Sequence, residues 1–296
     1  MLVLVNARSG RLPPERKAAV LRDAFERHGL RPELRLLRHA SMLPDAIAAG
    51  LRDGAETIVV GGGDGTLSAA AGCLADTGRR MGVLPMGTFN YFARGLGIPA
   101  DTASAVALLA HGQERRIAIG EVNGKVFLNN ASLGVYSRIL EQRELLYRRW
   151  GRSQLLAHLS VVLSLLRLRS SLSIQVTVDR TVVRRCTPMV FVANNAFQLA
   201  EFGLAGAECL ERGHFALYVA PDCGRLALLG LAARLLAGRL RPARHFELLS
   251  GREVVVETRR RTRHLVRDGE RSRVPGPYHF RLRPGALRVI APAPAG

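Results

Sequence analysis

Lysine is almost missing from this chain: of its 43 basic residues only Lys17 and Lys125 are lysine, and the rest are arginine. Set against 24 acidic residues, this leaves a net charge of +19 and a pI near 11.3. Such an excess often marks an anionic partner, but a near-monopoly of arginine fits a coding bias equally well. Aromatics are also scarce, at 5%, and there is no basic-aromatic stacking pattern, zinc spacing or helix-turn-helix signal, so nucleic acid is not an expected partner. A membrane surface stays open. The four cysteines, Cys73, Cys186, Cys209 and Cys223, lie far apart without a CxxC pair. A disulfide framework and a cysteine metal site are therefore excluded, and reduced, inert thiols suit a cytoplasmic protein. Long hydrophobic runs are absent too. Leu155 to Leu168 and Leu226 to Leu240 are interrupted by His158, Arg167, Arg234 and Arg239, so no transmembrane helix is expected. The opening MLVLVNARSG has no charged leader region and reads as a strand.

What is present is a chain of 296 residues, 48% hydrophobic, with 30 glycines and 14 prolines spread along it. That is enough for a folded protein of two domains, or of one large one. In the first part, short apolar runs alternate with helical patterns. Leu2 to Val5, Leu34 to Leu37, Thr57 to Val60 and Met81 to Pro85 read as strands. Pro14 to His28, Ser41 to Arg52, Leu67 to Asp76, Phe89 to Gly95 and Thr102 to Leu109 read as helices. Ala18, Leu21 and Phe25, and again Leu43, Ile47 and Leu51, repeat at helical spacing, and Ser41 is placed to cap its helix. Alternating strand and helix predicts βαβ units and a parallel sheet.

Past Arg115 the pattern changes. Arg116 to Val122 and Val126 to Asn130 flank an Asn123-Gly124 turn, a strong hairpin signal. Further strands are expected at Ser173 to Val178, Thr181 to Arg185, Met189 to Asn194, Phe215 to Val219, Glu253 to Glu257 and Arg263 to Arg267. Helices are expected at about Val135 to Arg169 and Arg225 to Leu240. The arginine cluster Arg259 to Arg263 reads as a solvated hairpin. This half is a second, mainly antiparallel β domain, giving residues 1–115 and 116–285 as the expected division.

Directly after the third strand comes GGGDGT, Gly61 to Thr66, and then a helix. Glycines let backbone N–H groups wrap phosphate oxygens, a helix N-terminus favours anions, Thr66 offers a hydroxyl, and Asp64 can hold Mg²⁺. The turn is neither a Walker A loop nor a GxGxxG fingerprint. Together with Asn6-Ala-Arg-Ser-Gly10, the run PMGTFNYFARGLGIP from Pro85 to Pro99, and Asp268-Gly269-Glu270, it resembles the diacylglycerol kinase catalytic-domain family. More narrowly, it resembles the bacterial soluble lipid kinases, which share a superfamily with sphingosine kinases and NAD kinases.

The resemblance implies an α/β fold: an N-terminal phosphofructokinase-like domain and a second, β-sandwich-like one, with the last strand, Ala286 to Ala291, returning to the first domain. It implies ATP with Mg²⁺ as cofactors. Asn6, Ser9, Gly10, Ser41, Gly62, Gly63, Asp64, Gly65, Thr66 and Thr88 would bind the nucleotide, and Asp64 would also serve its metal. The proton acceptor would be Glu270, with Asp268 supporting it or acting in its place. The expected activity is phosphorylation of a lipid hydroxyl, diacylglycerol-like by default. A sphingoid, ceramide-like or other hydroxylated acceptor, or a nucleotide-binding protein without turnover, are the alternatives. Two departures stand out. Asn90-Tyr91 replaces the Asn-Asp of many members, and Arg212 stands where several place an aspartate for a structural magnesium, a role a guanidinium cannot fill. The partner would be a lipid substrate at a membrane surface, reached from the cytoplasm. Arg143, Arg148, Arg149 and Arg152, interleaved with Leu145, Leu146, Tyr147 and Trp150, could lie at that surface or pack on their own domain. The oligomeric state is left open, a homodimer included.

Overall fold

A computed structural model describes residues 1–10, 12–137, 139–141, 171–222, 230 and 246–293. Nearly all of the two expected helices of the second half, and the segment around Trp150, lie outside the described residues. No helix among the described residues is long and apolar enough to cross a membrane. The chain divides into two compact units. One comprises residues 1–120, 125–129 and 283–296, the other 121–124 and 130–282.

In the first unit, β1 (Leu2–Asn6), β2 (Glu33–Leu37), β3 (Thr57–Gly62) and β4 (Arg80–Pro85) form a parallel sheet in the order β2-β1-β3-β4. β1, β3 and β4 are almost wholly buried, as strands covered on both faces must be. On one face, Leu21, Ala24 and Phe25 of α1 (Pro14–Arg27) pack with Val3, Val5 and Val59, joined by Ala105, Val106 and Leu109 of a later helix, Thr102–His111. On the other, Leu43 and Ile47 of α2 (Leu43–Arg52) and Leu67, Ala70 and Leu74 of α3 (Asp64–Leu74) pack with Leu2, Leu4, Ile58 and Val60. The helical spacing of these apolar residues sets which face each helix buries. From β1 the chain turns to β2 on one flank, then crosses to β3 on the other. Loops leaving the carboxyl ends of β1 and β3 therefore diverge, the arrangement that opens a binding crevice in α/β sheets.

Three details differ from the sequence reading. Ser41 does not cap α2: it lies within a short 3₁₀ turn, Ala40–Met42, and no side chain caps either element. Pro44 in the first turn of α2 fixes the start instead. The Asn123-Gly124 turn forms, with both residues at positive φ and β5 (Gln113–Val122) pairing with β6 (Lys125–Phe127). Yet residues 116–120 and 125–129 belong to the first unit, because Val126 and Leu128 are buried in its core and Ser68 Oγ donates to the Val126 carbonyl at 3.3 Å. The run expected from Val126 to Asn130 accordingly ends at Phe127, and a new strand, β7 (Asn130–Gly134), opens the second unit.

That unit holds two antiparallel sheets. The strands β8 (Leu172–Val178), β9 (Thr181–Thr187), β10 (Met189–Ala193), β11 (Phe215–Val219), β12 (Glu247–Gly251), β13 (Glu253–Thr258), β14 (Thr262–Arg267), β15 (Glu270–Pro275) and β16 (Tyr278–Ala291) complete the series. One sheet runs β12-β11-β10-β7-β14-β15; in the other, β9-β8-β13 continues to the first part of β16. β8 alternates buried and open residues, with Leu172, Ile174, Val176 and Val178 inward, as a sandwich strand does. The Arg259 to Arg261 link joins β13 of one sheet to β14 of the other, so it is a crossing between sheets and not the expected hairpin. β12 and β15 escape the sequence reading because ELLSG and ERSRVP lack an alternating apolar face. The end of β16 lies in the first unit, with Arg288 and Val289 running parallel to Arg80 and Met81 of β4.

Candidate functional site

Three loops at the carboxyl ends of β1, β3 and β4 come together. The glycines of the third-strand turn lie against the loop after β4. A Cβ on Gly87 would sit 2.6 Å from the Cα of Gly63, and one on Gly61 3.3 Å from Met86 Sδ. Gly62 is packed under Thr66, where a Cβ would fall 2.5 Å from the threonine Cβ. At Gly62 and Gly87 the contact leaves no room for a side chain, so glycine is required there. Asn6 Nδ2 reaches Thr66 Oγ1 at 3.4 Å, while Asn6 Oδ1 accepts from the Arg8 N–H at 3.0 Å. Gly10 adopts φ +77° and faces Met86 of the β4 loop.

The β1 loop has an internal anchor that sequence reading passed over. Lys17, only 4% exposed, donates from Nζ to the carbonyls of Ala7 at 2.8 Å and Ser9 at 2.5 Å, with Asn6 O at 3.5 Å. Burial pulls this ammonium below its ordinary value. Its signal in the sequence is faint: a lysine at the fourth position of an amphipathic helix, in a chain that uses arginine at all but one of its other basic positions.

Asp64 opens α3, whose N-terminus carries no side-chain cap, so its first backbone N–H groups have no intrahelical partner. The Asp64 carboxylate is held through one oxygen: Oδ1 accepts from the Phe92 N–H at 3.0 Å and from Asn129 Nδ2 at 3.1 Å. Oδ2 accepts no hydrogen bond among the described residues. Asn90 closes the β4 loop in the left-handed region, φ +52°, where its side chain accepts from the Gly87 N–H at 2.7 Å and donates to the Gly87 carbonyl at 3.2 Å. Tyr91, beside it, stacks on Phe89 at 5.4 Å with ring planes 2° apart. Thr88 is exposed in the same loop. Ser41, also exposed, lies beyond β2 at the sheet's edge, and its side chain bonds none of the other loops. The structure thus brings together Asn6, Ser9, Gly10 and Gly62 to Thr66, with Thr88 adjoining, while Ser41 sits in the turn that follows β2, the strand beside β1, and makes no hydrogen bond to them among the described residues.

In the second unit, Asp268 and Gly269, at φ +45° and +83°, form the two-residue turn between β14 and β15, with Arg267 opposite Glu270. This is the tight hairpin turn that an Asp-Gly pair favours. Asp268 is buried, and its Oδ1 accepts from the Asn130 N–H at 3.1 Å while its own N–H donates to the Asn130 carbonyl at 3.0 Å. Asn130 Nδ2 in turn donates to Gln198 Oε1 at 2.8 Å. Asp268 is therefore built into the scaffold. Glu270 keeps an exposed edge, yet desolvation of its carboxyl raises its pKa above the ordinary value, with Arg267 pulling the other way. Arg212 ends a short helix, Ala207–Glu211, with Nη2 3.9 Å from Cys209 Sγ.

Residues 1–122 match the diacylglycerol kinase catalytic domain, and residues 132–291, more than half of the chain, match the YegS C-terminal NAD kinase beta sandwich-like domain. The chain belongs to the family defined by the YegS C-terminal NAD kinase beta sandwich-like domain, here preceded by a diacylglycerol kinase catalytic domain. Among proteins similar to this family member is the "Probable lipid kinase YegS-like" protein of Pseudomonas aeruginosa PAO1, 48% identical over 101 residues, or 33% of this chain and 32% of that one. Its Klebsiella pneumoniae 342 counterpart is 37% identical over 142 residues, 47% of this chain and 46% of that one. The matched stretches thus span a third to a half of these relatives. A crystal structure of a diacylglycerol kinase from Bacillus anthracis superposes with a TM-score of 0.71 over 99% of this chain and 96% of that one, at 17% identity, which shows the fold. The mixed α/β architecture with an antiparallel second domain agrees with the family's fold.

Within this family member, the glycine turns, the uncapped α3 N-terminus, the Thr66 hydroxyl and the open Asp64 Oδ2 are donors and an acceptor suited to phosphate and to a phosphate-bound divalent cation. Asn129, which orients Asp64, was not foreseen. It sits 65 residues away in the chain, and an Asn-Asn pair carries no motif that marks it.

Proposed function

We propose that this protein is an ATP- and Mg²⁺-dependent lipid kinase that phosphorylates a free hydroxyl of a diacylglycerol-like acceptor. The observation that carries the reading is the junction of the two glycine turns at Gly63 and Gly87, with Asp64 beside them held through one oxygen and open at the other. The family membership and the names of the relatives support it. Mg²⁺ would neutralise phosphate charge, and Asp64 Oδ2 is the oxygen placed to hold it. Phosphoryl transfer asks little covalent chemistry of a protein: it needs positioning, charge stabilisation and a group to take the acceptor's proton. The backbone N–H groups of α3 and the Thr66 hydroxyl do the positioning. Glu270 takes the hydroxyl proton as the new oxygen–phosphorus bond forms and the bond from the γ-phosphorus to the departing ADP breaks. Glu270 is preferred to Asp268 because the Asp268 carboxylate is already held by the Asn130 N–H, whereas a raised pKa makes Glu270 the better base.

The deciding experiment supplies purified protein with labelled ATP and a panel of diacylglycerol, sphingoid base, ceramide and total lipid extracts. Transfer to diacylglycerol is the expected result; transfer only to a sphingoid acceptor moves the substrate, and no transfer with intact ATP binding points to a protein without turnover. Asp64→Ala and Gly63→Val should abolish stabilisation by Mg-ATP in thermal melts while the melt without nucleotide stays cooperative. Unchanged ATP affinity in both, measured by calorimetry, would sink the nucleotide assignment. The arginine-rich segment around Trp150 is proposed to bring the enzyme to anionic lipid. Reversing Arg148 and Arg149 should release it from vesicles.

A further inference from the structure

The carbonyls of the β1 loop converge on one side chain. Lys17 Nζ donates to Ala7 O at 2.8 Å and Ser9 O at 2.5 Å, with Asn6 O at 3.5 Å. These peptide bonds are all trans. In a trans peptide the N–H that follows a carbonyl points the opposite way, so the N–H groups of Ala7, Arg8 and Gly10 are directed away from the ammonium. Two of them are used inside the protein. The Ala7 N–H donates to the Leu37 carbonyl at 2.9 Å, and the Arg8 N–H to Asn6 Oδ1 at 3.0 Å. The Gly10 N–H donates to no acceptor among the described residues. Gly10 is exposed and lies against Met86, which also borders Gly61 of the glycine turn. The unused donor therefore stands beside that turn, at an open surface.

Lysine is an unusual choice for this place. The side chain is only 4% exposed, and burying a charge is costly unless it is well hydrogen-bonded. It stands at the end of the first turn of α1, where a cation opposes the helix dipole. It is also one of two lysines among 43 basic residues. The socket explains the residue type. An ammonium is compact and carries three donors, which matches three converging carbonyls. A guanidinium is a flat fork of five donors, and here it would leave several of them buried and unpaired.

We propose that Lys17 is a positioning residue of the nucleotide site: it sets the Ser9–Gly10 peptide so that the Gly10 N–H meets a phosphate oxygen, and it places a positive charge one peptide behind that contact. The proposal rests on the reading of the glycine turns as a nucleotide site. Lys17 itself touches no phosphate, because its ammonium is turned to carbonyls and almost closed to solvent. Its effect is carried by the peptide group. A cation on the Ser9 carbonyl polarises the unit and strengthens the N–H on its far side as a donor. A buried charge is also screened little by salt, so its field favours the anion in front of the loop.

The test reads the Gly10 amide directly in the full chain. Labelling the serine carbonyl with carbon-13 and the glycine nitrogen with nitrogen-15 leaves two Ser-Gly peptides visible by NMR, Ser9–Gly10 and Ser250–Gly251, and Ser9→Ala removes the first. Mg-ATP and inorganic tripolyphosphate are titrated into the parent, Lys17→Met and Lys17→Arg, with calorimetry and ligand-free thermal melts alongside. In the parent the Gly10 signal should move and saturate with both probes. Lys17→Met should bind both about tenfold more weakly or worse, the scale of a lost charge-assisted contact, with its Gly10 signal still at saturation. Lys17→Arg should not restore binding. A merely structural lysine would lower the melting temperature and leave the affinity and the Gly10 response of the folded protein as in the parent. The proposal is overturned if the parent binds Mg-ATP with a silent Gly10 signal, or if either variant keeps parental affinity. Should Lys17→Met fail to fold, Lys17→Arg and the parent's Gly10 response decide in its place. A parent that binds neither probe removes the nucleotide reading and this proposal with it, whereas binding with a silent Gly10 removes this proposal alone.

Discussion

At the scale of single residues, two of the carboxylates singled out by the motifs, Asp64 and Glu270, sit in different surroundings. Asp64 is oriented by the Phe92 N–H and Asn129, so Asn129→Ala should weaken Mg-ATP binding by about tenfold, the worth of one charge-assisted hydrogen bond. Asn129→Gln should recover part of the loss. Calorimetry on both variants checks this, and a purely structural role would lower the melting temperature without touching ATP affinity. Glu270 has its pKa raised by desolvation and lowered by Arg267. As a base it must be ionised, so turnover should fall on the acid side at a pH above the ordinary glutamate value, and Arg267→Gln should move that limb higher still. The linkage to stability has a definite sign. A carboxyl whose folded pKa is raised stabilises the native state fully below its ordinary, unfolded pKa, and that contribution is lost as pH rises through the folded pKa. Glu270→Gln should therefore leave the melting temperature at neutral pH unchanged or higher while turnover drops about a hundredfold or more. A dead enzyme that is also much less stable would show that Glu270 is structural.

At the scale of elements, helices and strands follow their local sequence, and the loops between them depend on glycine. Pro14 and Pro44 sit in the first turns of α1 and α2, and Asp101 caps the helix Thr102–His111 by accepting from the Ser104 N–H at 2.8 Å. The β4 loop is different, because its shape comes from contact with the β3 turn. Gly87 has a negative φ that any residue could adopt, so only crowding explains the glycine: its Cβ would meet both Gly63 Cα and Asn90 Oδ1 at 2.6 Å. Gly87→Ala should cost about 1–3 kcal/mol, the usual range for overpacking, and should weaken Mg-ATP binding because the two turns must part. Thermal melts with and without nucleotide check both effects.

At the scale of the whole molecule, the last strand makes the first unit discontinuous in the chain. Leu287 and Val289 are fully buried in the core built by α2 and α3, and Val289 pairs with Met81 of β4. Leu287→Ala should cost about 2–5 kcal/mol, as buried leucine truncations do. Truncation before Ala286 should remove nucleotide binding altogether, although every glycine-turn residue would still be present. Retention of Mg-ATP binding by the truncated chain would show that the parallel sheet is complete without its returning strand.

The sequence by itself determined the βαβ order of the first half, its amphipathic helices, the position of the glycine turn between the third strand and its helix, and the antiparallel character of the second half. All of these are local: side-chain period, turn residues and caps act within a few positions of one another. Even the return of Ala286 to Ala291 was legible only through a resemblance spanning the full chain. Tertiary structure decided the rest, because the deciding contacts join distant segments. Lys17 anchors the β1 loop through three carbonyls, Asn129 reaches back 65 residues to Asp64, and residues 125–129 join the first unit because Val126 and Leu128 find their core there. Asp268 and Glu270, two residues apart and alike in the sequence, part company for the same reason. Asn130, more than a hundred residues earlier, holds one carboxylate, while Arg267 and a desolvated strand end tune the other.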